Sequence, residues 1–432
     1  MAPYIRTVIF TVSLHLFLML FLWLLNTTYL LTEASGPLQD DTAIWVPALV
    51  FVLIGVPAAI TLLRALPRWI MLVEGWTGTC SKEIEGWMNA AGAKKLRLAV
   101  AVIAGLTLFL ELVLIRWESG FFPIFAMYKN FTLLACFCGL GLGYAMAKRA
   151  PLLLSFSLPM LLLLLLGFAA LRYGWMPGGI TANLLYVMPV HEETSMFGAI
   201  NQNIGILKYI IYSLPIYILL IETFLLNTLV LLPMGQFCGS LMQRLPALEG
   251  YGFNLIGSIA GTLLLFLFSW LWAGPVIWFG LSALLLAWYL MAAQLARIVS
   301  FLCLMGCVIV TAWPFDPLIH DIYSPYQLIQ QGTQPNGMAV ILASGTYYQK
   351  IYDLSLANAN RDTQKSLSDA VGYYELPFRT AKPLGDVAIV GAGSGNDVAA
   401  ALRCGAVSVD AVEIDPAILG IGHESHPERP YQ

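Results

Sequence analysis

Gly391, Gly393 and Gly395 occupy alternate positions directly after the apolar run Val387–Val390, and Asp397–Leu402 follows with helix-forming residues. A second apolar run, Val407–Asp415, carries Glu413 near its end. Residues of these types in this order can bind a nucleotide. Glycines permit a tight turn and close approach of a ligand to the backbone, a helix N-terminus offers unpaired N–H groups, and an acid about 20 residues on accepts ribose hydroxyls. The dinucleotide fingerprint wants a third small residue three places after its second glycine, where this chain has Asn396. A G-x-G-x-G loop followed by an acid fits an S-adenosylmethionine-type ligand better. His423 and His426 read as solvated helix-end residues, and no metal site is expected.

Such a loop needs a strand before it, a helix after it and a second strand ending in the acid. Between Asp386 and Gln432 there is room for two strands and two helices, so 361–432 is expected to be the first part of a Rossmann-like α/β domain. Ahead of it, Tyr326–Gln331, Met338–Ala343 and Thr346–Leu354 are rich in β-formers, with a turn signal at Ser344-Gly345. These predict a small antiparallel β-module over 314–360. A helix near Thr363–Tyr374 then leads through Pro377 and Pro383 to the glycine loop.

The residues before 314 are a different kind of polypeptide. The whole chain is 59% hydrophobic and only 11% charged, with a mean hydropathy of +0.77, whereas soluble chains carry about 25% charged residues. A helix needs about 20 apolar residues to cross a bilayer. The candidates are 7–31, 44–63, 98–117, 131–147, 152–171, 209–232, 253–272, 276–295 and 298–313, separated by polar connectors such as 64–97 and 173–207. Residues 1–313 are therefore expected to form an α-helical multi-pass bundle of eight or nine segments in a lipid bilayer.

Basic residues mark the cytoplasmic side. Arg6, Arg64, Arg68, Lys82, Lys94, Lys95, Arg97, Lys148, Arg149, Arg244 and Arg297 fall on one side of the alternating connectors. Arg116, Lys129, Arg172 and Lys208 fall on the other. The N-terminus is then inside, and a cytoplasmic tail requires an even count, which 298–313 would give by not crossing or a further segment within 175–190 would give by crossing. Three glycine pairs at four-residue spacing, Gly139/Gly143, Gly235/Gly239 and Gly257/Gly261, let helix backbones approach closely. Glu111, Glu222, Asn227 and Asn254 are polar groups in apolar segments, where such groups face inward. His15 is read as structural.

A net charge of −3 without a basic cluster excludes nucleic acid as a partner. The seven cysteines lie mostly in apolar runs and read as small buried hydrophobes.

At several stretches the chain resembles the spermidine synthase (polyamine aminopropyltransferase) family, in particular its membrane-fused bacterial members. "SPYQLI" (324–329) is similar to the family's first strand, whose glutamine, here Gln327, contacts the nucleoside. "GTYYQKIYDLS" (345–355) is similar to the following hairpin. "YYELPF" (373–378) is similar to the tyrosine-x-glutamate element bordering the polyamine pocket, here Tyr373, Tyr374 and Glu375. "ELVLIR" (111–116), "GLGLGYA" (139–145) and "NLIGSIAG" (254–261) look like that subgroup's transmembrane pattern.

The resemblance implies transfer of an aminopropyl group from decarboxylated S-adenosylmethionine to a small-molecule polyamine acceptor such as putrescine. Gln327, Gly391, Gly393, Gly395 and Glu413 would hold the donor, and Tyr373, Tyr374 and Glu375 the acceptor. It also implies a bacterial inner-membrane protein with a cytoplasmic tail, and is compatible with a homo-oligomer. Ser394 replaces the family's loop aspartate. The chain ends before the segment that carries the family's acidic pair and catalytic aspartate, so the domain is expected to be incomplete and no catalytic residue is assigned. Two other readings stand beside this one: a methyltransferase using S-adenosylmethionine on a membrane-embedded acceptor, and a transporter with a nucleotide-sensing tail.

Overall fold

The computed structural model describes residues 4–13, 53, 56–172, 206–291, 293–313, 319–333, 339–344, 346–355, 365–381 and 383–432. The chain is mostly helical. It divides into two compact units, Met1–Phe268 with Gly274–Phe315, and Ser269–Ala273 with Asp316–Gln432.

The first unit is a helical bundle: α1 (Tyr4–Ser13), α2 (Val56–Ala90), α3 (Ala93–Phe121), α4 (Pro123–Met127), α5 (Lys129–Ala145), α6 (Ser157–Arg172), α7 (Ile206–Met242), α8 (Ala247–Trp270), α9 (Pro275–Leu290) and α10 (Gln294–Ala312). Among the described residues three stretches are long and apolar enough to cross a membrane, Ala93–Gly120, Tyr217–Met242 and Ala247–Trp270, overlapping the expected segments 98–117, 209–232 and 253–272. The segments expected at 131–147, 152–171, 276–295 and 298–313 form shorter apolar helices. Those at 7–31 and 44–63 fall largely outside the described residues, as does most of the connector 173–207.

The stretch 64–97, read from sequence as a polar connector, lies mostly within the 35-residue α2. Among its described side chains Thr77, Cys80, Ser81, Ile84 and Met88 are buried, spaced mostly three and four apart as one helix face requires. Polar residues on the opposite face concealed that helix from a search for continuous apolar runs.

Small residues set the helix spacing. A side-chain carbon on Gly139 would lie 2.6 Å from the Thr228 carbonyl oxygen, and one on Gly235 would lie 2.9 Å from that of Leu140, so α5 and α7 run backbone against backbone. The same holds for α3 and α8, where a Cβ at Gly105 would lie 2.6 Å from the Gly257 carbonyl. All three sequence pairs therefore sit at close helix contacts, where packing rather than apolar burial drives association. Beyond its glycine seam, α8 exposes Leu255, Ile259, Leu263, Phe266 and Trp270, which suits a lipid-facing surface. Trp117 anchors an aromatic cluster with Phe168 and Phe279, at 5.5 and 5.3 Å between ring centroids.

The second unit opens with a four-stranded antiparallel sheet in the order β1 (Ile319–Tyr323), β2 (Leu328–Thr333), β3 (Ala339–Ala343), β4 (Thr346–Lys350). The register pairs Ile322 with Ile329 and Gln331 with Ile341, and a bulge interrupts β3–β4 at Ile341/Leu342. After α11 (Lys365–Thr380) come β5 (Asp386–Val390), α12 (Asn396–Arg403), β6 (Ser408–Val412) and α13 (Pro416–Ser425). β5 and β6 pair in parallel, Val387 opposite Val409 and Ile389 opposite Ala411. The unit's core joins Ile329, Ile341 and Ile351 to Ala417, Ile418 and Ile421, so α13 packs on the antiparallel sheet. The strand β1 precedes the β-rich stretches read from sequence, and α11 runs six residues past the expected Tyr374, taking Pro377 inside it.

Candidate functional site

The glycine loop sits between β5 and α12. Its three glycines have φ of +77°, +59° and +105° at Gly391, Gly393 and Gly395, a region other residues enter only at a cost. The turn is fastened to β6, because the N–H groups of Gly391 and Ala392 both donate to the Val412 carbonyl, at 2.8 and 3.1 Å. One step on, the N–H of Gly393 donates to Glu413 Oε2 at 2.9 Å, while the other oxygen of Glu413 accepts the N–H of Asp415 at 2.9 Å. Sequence spacing had placed Gly393 and Glu413 in one site, and the fold brings them into hydrogen-bond contact.

Gln349 on β4 completes the loop's inner side. Its Oε1 accepts from both the N–H and the hydroxyl of Ser394, at 3.0 and 2.9 Å. Tyr431 closes the outer side by donating its hydroxyl to the Gly393 carbonyl at 2.9 Å, with the Ala392 carbonyl 3.3 Å away. A Cβ on Gly395 would strike Pro430 at 2.6 Å and Tyr431 at 3.0 Å, so glycine is required there by packing as well as by φ.

Asn396, the residue that departs from the dinucleotide fingerprint, is 2% exposed. Its amide donates to the Lys350 carbonyl at 2.7 Å and to the Tyr374 hydroxyl at 3.1 Å. Its oxygen accepts the Tyr352 N–H at 3.1 Å and faces His426 Nε2 at 3.2 Å. That oxygen can only accept, so His426 carries its proton on Nε2. Its Nδ1 then accepts the Glu428 N–H at 3.1 Å. His426 is therefore not the solvated helix-end residue expected from sequence: it is 3% exposed with both ring nitrogens engaged, and burial, with Arg403 nearby, holds the imidazole below its ordinary pKa against the opposing pull of Glu428 and Asp353.

The site is acidic. Asp397 lies in the first turn of α12, half-buried, and burial pushes its carboxyl above the usual range. The Tyr431 phenol is pushed up to about 12 by burial, with Glu413, Asp397 and Tyr348 adding to the effect. The N-cap of α12 is Gly395, which supplies no side-chain cap. A pyrophosphate at this helix end would meet Asp397 and Glu413, and like charges repel it. A neutral nucleoside or a cationic sulfonium meets no such penalty.

The remaining sequence candidates lie at varying removes. Gln327 is half-buried and its backbone closes the β1–β2 turn, its N–H donating to Ser324 Oγ at 3.2 Å and its carbonyl accepting the Ser324 N–H at 3.1 Å. Asp415 accepts from Ser324 Oγ at 2.8 Å and caps α13 through the Ala417 N–H at 3.0 Å. Tyr374 reaches the loop through Asn396, while Tyr373 is 76% exposed. Glu375 is nearly buried and bonded to Arg403 at 3.0 Å and to Arg379 at 2.5 Å. Burial would raise its carboxyl, but the two arginines outweigh it and hold the group below its usual range. Arg403 also pairs with Glu428, so Glu375 belongs to an ion-pair network tying α11 to α12.

Sequence reading missed Gln349, Asn396 as a positive element, and Tyr431. Gln349 carried a weak signal, a polar residue within the β-rich run "TYYQK". Tyr431 carried none, because its contact spans 38 residues. Compared with protein-family models, curated proteins and solved structures, the chain shows no match.

Proposed function

We propose that the second unit binds the adenosyl part of a sulfonium donor and that the chain is a membrane-bound aminopropyltransferase similar to spermidine synthase. The observation that carries the reading is the bond between the Gly393 N–H and the Glu413 carboxylate, beside Asp397 in an uncapped first turn. A carboxylate offers about four acceptor positions. Glu413 therefore keeps two backbone donors and still takes ribose hydroxyls. The acidic surroundings favour a positive sulfur.

In this reading the strand–loop–helix–strand from Asp386 to Val412 is the first part of a Rossmann-like domain. It lies on the cytoplasmic side of an inner-membrane bundle of eight or nine segments. The acceptor amine, after losing a proton, attacks the carbon beside the sulfonium. The carbon–sulfur bond breaks and its electrons return to sulfur, leaving methylthioadenosine as product. Tyr373 and Tyr374 border the acceptor in this proposal. Glu375, already matched by two arginines, organises α11 and α12 more than it attracts a cation.

One observation favours a second reading. Ser394 is fully buried and bonded to Gln349 at the position where the resembled family has an aspartate for the donor's ammonium. A methyltransferase using intact S-adenosylmethionine has less need of that aspartate. Calorimetry of the full chain with methylthioadenosine tests the nucleoside site, and Glu413→Ala must abolish the heat of binding. Competition between S-adenosylmethionine and its decarboxylated form then separates the two transferases. Unchanged affinity in Glu413→Ala would overturn both.

A further inference from the structure

We infer that the helical unit contains a binding site for a small monovalent cation, a proton or sodium, built by Glu118, Thr132 and Asn227. The inference is independent of the transferase reading. Glu118 on α3 is fully buried. Thr132 on α5 donates its hydroxyl to Oε2 at 2.5 Å, and Asn227 on α7 donates its amide to Oε1 at 2.9 Å. Both donors are neutral. They orient the carboxylate and leave its charge uncancelled, and a buried charge needs a counter-charge or a proton.

The second observation comes from Asn227. Its amide nitrogen is held on Glu118, and the carbonyl oxygen of the same amide is completely buried with no donor reaching it among the described residues. Buried acceptors are almost always satisfied, so the orphan points to a ligand, and the uncompensated carboxylate beside it makes a cation the fitting one. Two turns before Glu118 on the same helix, Glu111 is 1% exposed and its Oε2 also lacks a donor among the described residues. The spacing of seven residues puts both acids on one face of α3. Cys136 on α5 lies within electrostatic reach of both carboxylates.

Among the described residues, Arg116 and Glu222 are two further charged groups on the same helices. Arg116 stacks over the Trp278 ring of α9, its Cζ 5.2 Å from the centroid, and stands two residues from Glu118, a separation that turns side chains apart on a helix. Glu222 is buried on α7, five residues before Asn227. The oxygens at Glu118, two from the carboxylate and one from the Thr132 hydroxyl, even with the Asn227 carbonyl on the amide bonded to it, are too few for calcium or magnesium, which take six or more. A proton or sodium suits them.

Infrared difference spectroscopy on the full chain in lipid bilayers tests this. The expected result is a protonated-carboxyl C=O band that disappears when pH is raised, or when sodium replaces an inert cation at fixed pH, and that is absent from Glu118→Gln. Loss with sodium assigns a sodium site, and loss with pH alone assigns a proton site. Should Glu118→Gln fail to assemble, Thr132→Val keeps the carboxyl and removes a donor from it, so the responsive band must shift in frequency. A carboxyl spectrum indifferent to both pH and sodium overturns the inference. So does a responsive band that neither substitution changes.

Discussion

The amide N–H of Gly393 and the carboxylate of Glu413 meet at 2.9 Å, binding the turn after one parallel strand to the residue that follows its neighbour. That contact helps to hold the loop's shape and sets the direction of the carboxylate proposed above to receive ribose hydroxyls.

Glu413→Gln tests it with the shape kept. An amide presents one oxygen where the carboxylate presents two, so either the Gly393 or the Asp415 N–H loses its acceptor. Losing a hydrogen bond to a charged group costs about 1.5–3 kcal/mol. Affinity for methylthioadenosine, measured by calorimetry, is expected to fall by roughly 10- to 100-fold.

Gly393→Ala forces a side chain into a backbone at φ +59° and brings its Cβ to 2.7 Å from Gln349 Oε1. Gln349 can retreat only by releasing Ser394. The left-handed conformation alone costs about 1–2 kcal/mol. Thermal unfolding of the second unit should move down by several degrees, and nucleoside binding should restore part of the loss.

Tyr431→Phe removes the hydroxyl that reaches the Gly393 carbonyl and leaves the ring against Gly395. The expected cost is about 0.5–1.5 kcal/mol. Amide hydrogen exchange should accelerate at Gly393 and Ser394 before it changes in the antiparallel sheet.

His426 gives the second unit a pH dependence. Its folded pKa is depressed, first by burial, so the unfolded chain takes up a proton more readily and the stability it contributes is present at neutral pH. That contribution is lost as pH falls below the unfolded value of about 6.5 and on through the lower folded value. In His426→Gln, where an amide N–H can replace the Nε2 donor to Asn396, the acid-side slope of stability below about pH 6.5 should flatten. Denaturant titrations at stepped pH read it.

In the helical unit, Gly257→Ala would set a carbon against the Ala101 backbone and push α3 and α8 apart. A cost of about 1–3 kcal/mol is expected, as for other overpacked sites. Gly252→Ala, on the same helix with nothing within 4 Å, is the control. Fluorescence-monitored melting in detergent should lower the first protein's midpoint and leave the second unchanged.

What could be read from sequence was whatever has a short period or a local signature. Glycine spacing exposed the loop and the helix contacts, and β-rich runs exposed most of the antiparallel sheet. The amphipathic α2 escaped because its apolar face is interrupted by polar residues, and β1 because its five residues, Ile-His-Asp-Ile-Tyr, show no sustained alternation. Glu118 escaped for a related reason. It follows the apolar stretch 98–117 and reads as the start of a polar connector, yet the helix continues past it and buries it. The partners of Tyr431 and Gln349 are set by tertiary contact alone.

Asn396 spends its whole hydrogen-bonding capacity on four different neighbours. Redesigning this loop for a dinucleotide by installing the missing glycine would therefore strand a carbonyl, a phenol, an amide and an imidazole in one stroke. The route from this loop to a dinucleotide-type loop runs through replacement of Asn396 together with its four partners.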